Sequence, residues 1–111
     1  MAGIPGTEVR AESATLEVWA LLYEPSPWKA GQEVKVVWRA TGAGPFAVTA
    51  VGPGSQRVAP IAGPTEHYGS NWERPGDEWG TFFRLDESGE WVLQVQRGSD
   101  TASLPITVTP A

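Results

Sequence analysis

Apolar and polar residues alternate with a period of two along most of the chain, the pattern of strands that bury one face. In ATLEVWALL, Ala14 to Leu22, one face carries Leu16, Val18, Ala20 and Leu22 and the other Glu17, Trp19 and Leu21. EVKVVWRA, Glu33 to Ala40, groups Val34, Val36, Trp38 and Ala40 opposite Lys35 and Arg39, which turns Trp38 inward. PFAVTAVG, Pro45 to Gly52, sets Phe46, Val48 and Ala50 on one side, and its Val and Thr favour β structure. A weaker strand is expected over Gln56 to Ile61, at an edge because of Pro60. Glu78 to Leu85 aligns Trp79, Thr81, Phe83 and Leu85, and Glu90 to Arg97 aligns Trp91, Leu93 and Val95. In TASLPITV, Thr101 to Val108, Leu104, Ile106 and Val108 point inward. Pro105 has no N–H for a ladder, so it belongs at an edge or on the strand's free side.

Short turns join these segments. DESG (Asp86 to Gly89), RGSD (Arg97 to Asp100) and TGAGP (Thr41 to Pro45) hold the Gly, Asp and Ser that tight turns use. No strand is followed by a helix long enough for a parallel crossover. The expected fold is all-β, an immunoglobulin-like antiparallel β-sandwich of about seven strands. It spans residues 14–109, behind a flexible segment at 1–13. The immunoglobulin-like order rests on two stretches. In EPSPWKAGQEVKVVWRA, Pro25 and Pro27 interrupt one strand, Gly31 turns and Trp38 enters the core; in DESGEWVLQV a turn glycine precedes an inward Trp91. Trp38, Trp79, Phe83 and Trp91 are accordingly structural.

The bulk properties narrow the function classes. A chain of 111 residues that is 41% hydrophobic forms one globular domain. Its net charge of -5 and dispersed basic residues leave no cationic stripe for nucleic acid or for anionic membrane. No apolar run is long enough to span a bilayer. Cysteine is absent, which removes disulfides, thiolate nucleophiles and cysteine metal sites together. The six Trp each need a partner for the indole N–H when buried.

Candidate chemistry concentrates in HYGSNWERPGDEWGT, His67 to Thr81. Tyr68 and Trp72 could act as flat platforms for a sugar while Asn71, Glu73, Arg74 and Asp77 satisfy its polar edges. The same aromatics could instead fold the loop down over the sandwich, with Arg74 pairing to a nearby acid, because a long connection needs anchors. Asp77, after the Pro75–Gly76 bend, is placed to accept a loop backbone N–H. Trp19, opposite the inward stripe of its strand, is open to solvent or to a neighbour. A hydrolytic or metal-dependent enzyme is the least supported class. His67 is the sole histidine, Asp77 and Glu78 are adjacent and so point to opposite sides, and no elbow, phosphate loop or zinc motif is present. The expectation is therefore a noncatalytic module with no cofactor.

GSNWERPGDEWGT, Gly69 to Thr81, followed by Gly89 and Trp91, resembles a stretch of a poorly characterised group of immunoglobulin-like domains in bacterial exported proteins and lipoproteins. That group carries a GSxWxRPGDEWGT-like motif, often with Gly after WGT and Cys before the later Trp; here these are Phe82 and Glu90. The resemblance implies an interaction or accessory module acting on a protein or glycan partner at the cell surface. It also implies an extracytoplasmic location, for a chain expressed without its native leader; a cytoplasmic location is the alternative.

Overall fold

A computed structural model describes residues 6–111. Ten strands follow one another: β1 (Thr7–Ala11), β2 (Val18–Leu22), β3 (Trp28–Lys29), β4 (Glu33–Ala40), β5 (Phe46–Val51), β6 (Arg57–Val58), β7 (Ala62–His67), β8 (Asp77–Arg84), β9 (Gly89–Arg97) and β10 (Asp100–Thr109). They form two five-stranded sheets, ordered β1-β2-β4-β8-β7 and β3-β10-β9-β5-β6. The inward faces of both sheets meet in one core, which makes the fold a β-sandwich.

The alternation explains that core. Val18, Ala20 and Leu22 of β2, Val34, Val36, Trp38 and Ala40 of β4, and Trp79 and Phe83 of β8 are buried from the first sheet. Val48 and Ala50 of β5, Trp91, Leu93 and Val95 of β9, and Ala102, Leu104, Ile106 and Val108 of β10 meet them from the second. Three of the core indoles are hydrogen-bonded, which offsets the cost of burying their N–H. Trp38 donates to the Thr81 hydroxyl at 2.9 Å, Trp28 to the Glu24 carbonyl at 2.8 Å, and Trp91 to the Glu87 carbonyl at 2.9 Å. The four residues expected to be structural, Trp38, Trp79, Phe83 and Trp91, all lie in this cluster.

Each segment expected to form a strand contains one, but the sandwich has ten strands rather than about seven. The three additions, β1, β3 and β7, are short or polar. Their pairing comes from backbone geometry, with little hydrophobic alternation to announce it. The sheets are also not wholly antiparallel, since β3 runs parallel to β10. Of the leading segment 1–13, residues 1–5 lie outside the described residues. Thr7–Ala11, expected to be flexible, is instead strand β1, paired antiparallel with β2, its Val9 packed against the core.

Pro105 sits where its missing N–H does no harm. On β10, Ser103 N–H donates outward to the Glu12 carbonyl and Thr107 N–H to the Ser26 hydroxyl, so Pro105, midway between them, presents its nitrogen to the same outer flank.

Candidate functional site

The 68–76 loop folds over the outer face of the first sheet, and the bend that returns it to the sheet is tightly constrained. Gly76 has φ 95°, and a β-carbon there would meet the Ala40 carbonyl oxygen at 2.1 Å, so only glycine fits. The β2–β4 register sets Leu21 beside Val37 on this outer face. On β8 the next position, paired with Val37, is Gly80, which offers no side chain. Trp72 packs onto Leu21 and Val37, with Trp19 against the same group, and is only 4% exposed. This small apolar cluster lies on the opposite side of the sheet from the main core.

Polar contacts hold the loop at both ends. Trp72 donates its indole N–H to Glu8 Oε1 at 2.6 Å, and Arg74 grips the same carboxylate through Nε at 2.8 Å and Nη2 at 3.3 Å. The Arg74 guanidinium also lies over the Trp19 ring, 3.7 Å from its centroid, where cation–π attraction adds to the ion pair. The Arg74 hydrogen bond, then that of Trp72, holds the Glu8 carboxyl below its ordinary value, and Glu8 in turn raises that of Arg74. At the other end Arg39 donates to Glu78 at 3.0 Å, to the Gly76 carbonyl at 2.9 Å and to the Ser70 hydroxyl at 3.3 Å. Ser70 donates its hydroxyl hydrogen bond to Glu78.

Asp77 is occupied differently from expectation. Instead of accepting a loop N–H, it accepts from Arg97 Nη2 at 2.6 Å, tying β8 of one sheet to β9 of the other. Arg97 is buried, donates to the carbonyls of Gly42 and Gly44, and lies 4.6 Å from the centroid of Trp79. Trp79 stacks in turn on Phe46, with centroids 4.2 Å apart. Asp77 thus closes one end of the sandwich.

The six candidate ligand-binding residues are therefore not brought together. Trp72 is buried, Arg74 and Asp77 have internal partners on different faces, and Tyr68, Asn71 and Glu73 stay exposed. Tyr68 is the most exposed of the large hydrophobics, at 84%, and the Glu66 carboxylate that its phenol meets raises its pKa. Trp19, expected to be open to solvent or a neighbouring domain, is half-buried beneath Arg74 and donates to Glu17 at 2.7 Å. Among the described residues no three His, Cys, Asp or Glu side chains converge to hold a metal ion.

Two other surfaces stand out. An open groove of about 590 Å³ crosses the outer face of the second sheet, lined by Glu12, Thr49, Arg57, Gln94, Gln96 and Ser103 among others; none of its lining residues is aromatic. On the first sheet, one residue row beyond Leu21 and Val37, the exposed Tyr23 and Phe82 flank Lys35. Lys35 pairs with Phe82 across the ladder, and Tyr23 donates its backbone N–H to the Lys35 carbonyl at 3.0 Å. Ile61, also exposed, is bonded to Phe82 through the backbone. Alternation alone turns Lys35 and Phe82 outward, but only the pairing register reveals that they adjoin Tyr23. The chain matches no family model, no curated protein and no solved structure.

Proposed function

We propose that the chain is a noncatalytic, extracytoplasmic interaction module with an immunoglobulin-like sandwich. The observation that carries the reading is the row Tyr23, Lys35 and Phe82, two exposed aromatic side chains on either side of a lysine, with the exposed Ile61 bonded through its backbone to Phe82. Single exposed apolar residues are ordinary, whereas a group of them marks a contact surface. The noncatalytic part is supported by the internal pairing of the loop's most reactive-looking groups: Arg74 with Glu8, Asp77 with Arg97 and Glu78 with Arg39. Immunoglobulin-like topology is supported by strand order. β2-β4-β8-β7 follows the A-B-E-D arrangement and β10-β9-β5 the G-F-C arrangement, with β1, β3 and β6 as additions. The extracytoplasmic placement, with a protein or glycan partner at the cell surface, rests on the resemblance of Gly69 to Thr81.

Binding of the purified domain to bacterial envelope fractions tests this reading, with Tyr23→Ser/Phe82→Ser as the variant and its fold checked by circular dichroism. Saturable binding by the parent that the double variant loses supports it. Absent binding, or binding that the variant retains, counts against it.

A second reading, sugar recognition, rests on Tyr68, whose ring is exposed at the tip of a loop beside Asn71 and Glu73. A glycan array read with the parent and Tyr68→Ala tests it, and no reproducible binding by the folded parent removes it for the glycans sampled.

A further inference from the structure

The row on the first sheet has a chemistry of its own. Lys35 reaches outward from the centre of the sheet, with its ammonium 5.0 Å from the Tyr23 ring centroid and 5.8 Å from that of Phe82. Tyr23 directly follows β2 and Phe82 stands on β8, on either side of β4, so the two are about 10 Å apart. Arg39, Arg74, Arg84 and Arg97 each pair with a carboxylate, whereas Lys35, like Arg10, Lys29 and Arg57, pairs with none among the described residues. Of these last four, Lys35 alone is held between two exposed rings. On one side the row is bordered by the Trp72 loop, so that it forms a shelf; the exposed Ile61 is bonded to Phe82 through the backbone.

Accepting that the chain is an interaction module, we propose that this shelf docks a peptide segment of a partner protein in which an Asp or Glu is flanked by large apolar side chains. The acid meets the Lys35 ammonium and the apolar neighbours lie against Tyr23 and Phe82. Charge complementarity selects this occupant over the others. A second copy would bring its whole net charge of -5 against this chain's own, whereas a short segment with one acid brings a single negative charge to Lys35. An anionic membrane calls for a cluster of basic residues, and Lys35 has none around it; the basic group on β8, Arg84, is paired with Asp86 at 3.7 Å. A neutral glycan offers the Lys35 ammonium no opposite charge. Lys35 supplies selectivity here, while the rings supply most of the contact area.

The test uses the whole chain and three capped peptides of sequence Gly-Ser-Phe-X-Leu-Ser-Gly in which X is Glu, Gln or Lys. Amide chemical shifts are followed during titration, and each peptide is repeated on Lys35→Gln and Lys35→Glu. The Glu peptide is expected to shift the resonances of Tyr23, Lys35, Ile61 and Phe82 and to bind about two- to fivefold tighter than the Gln peptide, the range of an exposed ion pair. Lys35→Gln should erase that preference and Lys35→Glu should transfer it to the Lys peptide. Equal response to all three peptides, shifts centred elsewhere, or a preference that survives Lys35→Gln overturns the proposal. If the peptides fail while Tyr23→Ser/Phe82→Ser still abolishes envelope binding, the acidic-peptide partner is wrong and the interaction module stands. Failure of both experiments removes both readings.

Discussion

Trp72 donates its indole N–H to Glu8 at 2.6 Å, joining a loop to a strand 64 positions earlier in the chain. The ring covers Leu21 and Val37, which β2 and β4 would otherwise present to water. Trp72→Ala removes that cover and strips Glu8 of a donor. The expected loss is about 3 kcal/mol, the low end for a buried aromatic because the cluster lies outside the main core. Urea unfolding measures the total, and hydrogen exchange locates it: amides of the loop should lose protection while those around Trp38 and Trp91 keep theirs. A loss within about 0.5 kcal/mol of zero would show that the loop is not anchored by this ring.

Glu8 makes the same attachment dependent on pH. Hydrogen bonds from Arg74 and Trp72 lower its pKa in the folded protein beneath the ordinary 4.5. A depressed folded value means that the stabilisation is complete above the unfolded value and disappears as pH falls through the folded one. Stability should therefore drop below pH 4.5 in part because Glu8 takes up a proton. Urea midpoints measured from about pH 6 down to pH 3 should fall less steeply for Glu8→Gln than for the parent. Parallel curves would mean that the carboxylate is not linked to folding.

What the sequence reveals and what it hides divide along physical lines. The inward residues of β4, β8, β9 and β10 were legible because a two-residue period has one buried face. The position of Pro105 was legible because a missing N–H restricts where a strand can lie. β7 was not legible: Gly63 and Pro64 interrupt its pattern, its exposed side chains carry no alternation, and its place comes from bonding to β8 across a register shift. In the loop, residue types suggested both a sugar platform and an anchor. Trp72 and Arg74 are anchored by Glu8, in a segment read as flexible, and no local pattern links Glu8 to them. The shelf around Lys35 was hidden for the same reason, since it needs the registers of three strands at once.

Arg97 and Asp77 bind the two sheets together at one end, and the arginine carries more of the weight. Arg97 is buried, stacks on Trp79 and satisfies two turn carbonyls, whereas the Asp77 side chain is 56% exposed. Arg97→Lys keeps the charge but loses the planar fork, and should cost about 2–4 kcal/mol. Asp77→Asn retains an acceptor in a place that water reaches, and should cost about 1 kcal/mol or less. Denaturant unfolding of both variants decides the matter, and equal losses would make the ion pair itself the dominant contribution.

Trp38, Thr81 and Val36 form a buried relay that tests whether hydrogen bonding or methyl packing matters more at the centre of the sandwich. The Trp38 indole donates to the Thr81 hydroxyl, and that hydroxyl donates to the Val36 carbonyl, each at 2.9 Å. Thr81→Val preserves shape and leaves the indole N–H without an acceptor, for an expected loss of about 1–3 kcal/mol. Thr81→Ser preserves the relay and loses one methyl group, for about 1 kcal/mol. A cycle with Trp38→Phe separates the two effects: once the donor is gone, Thr81→Val should cost markedly less than in the parent. If it costs the same in both backgrounds, the hydroxyl serves Val36 alone and the indole contributes through packing.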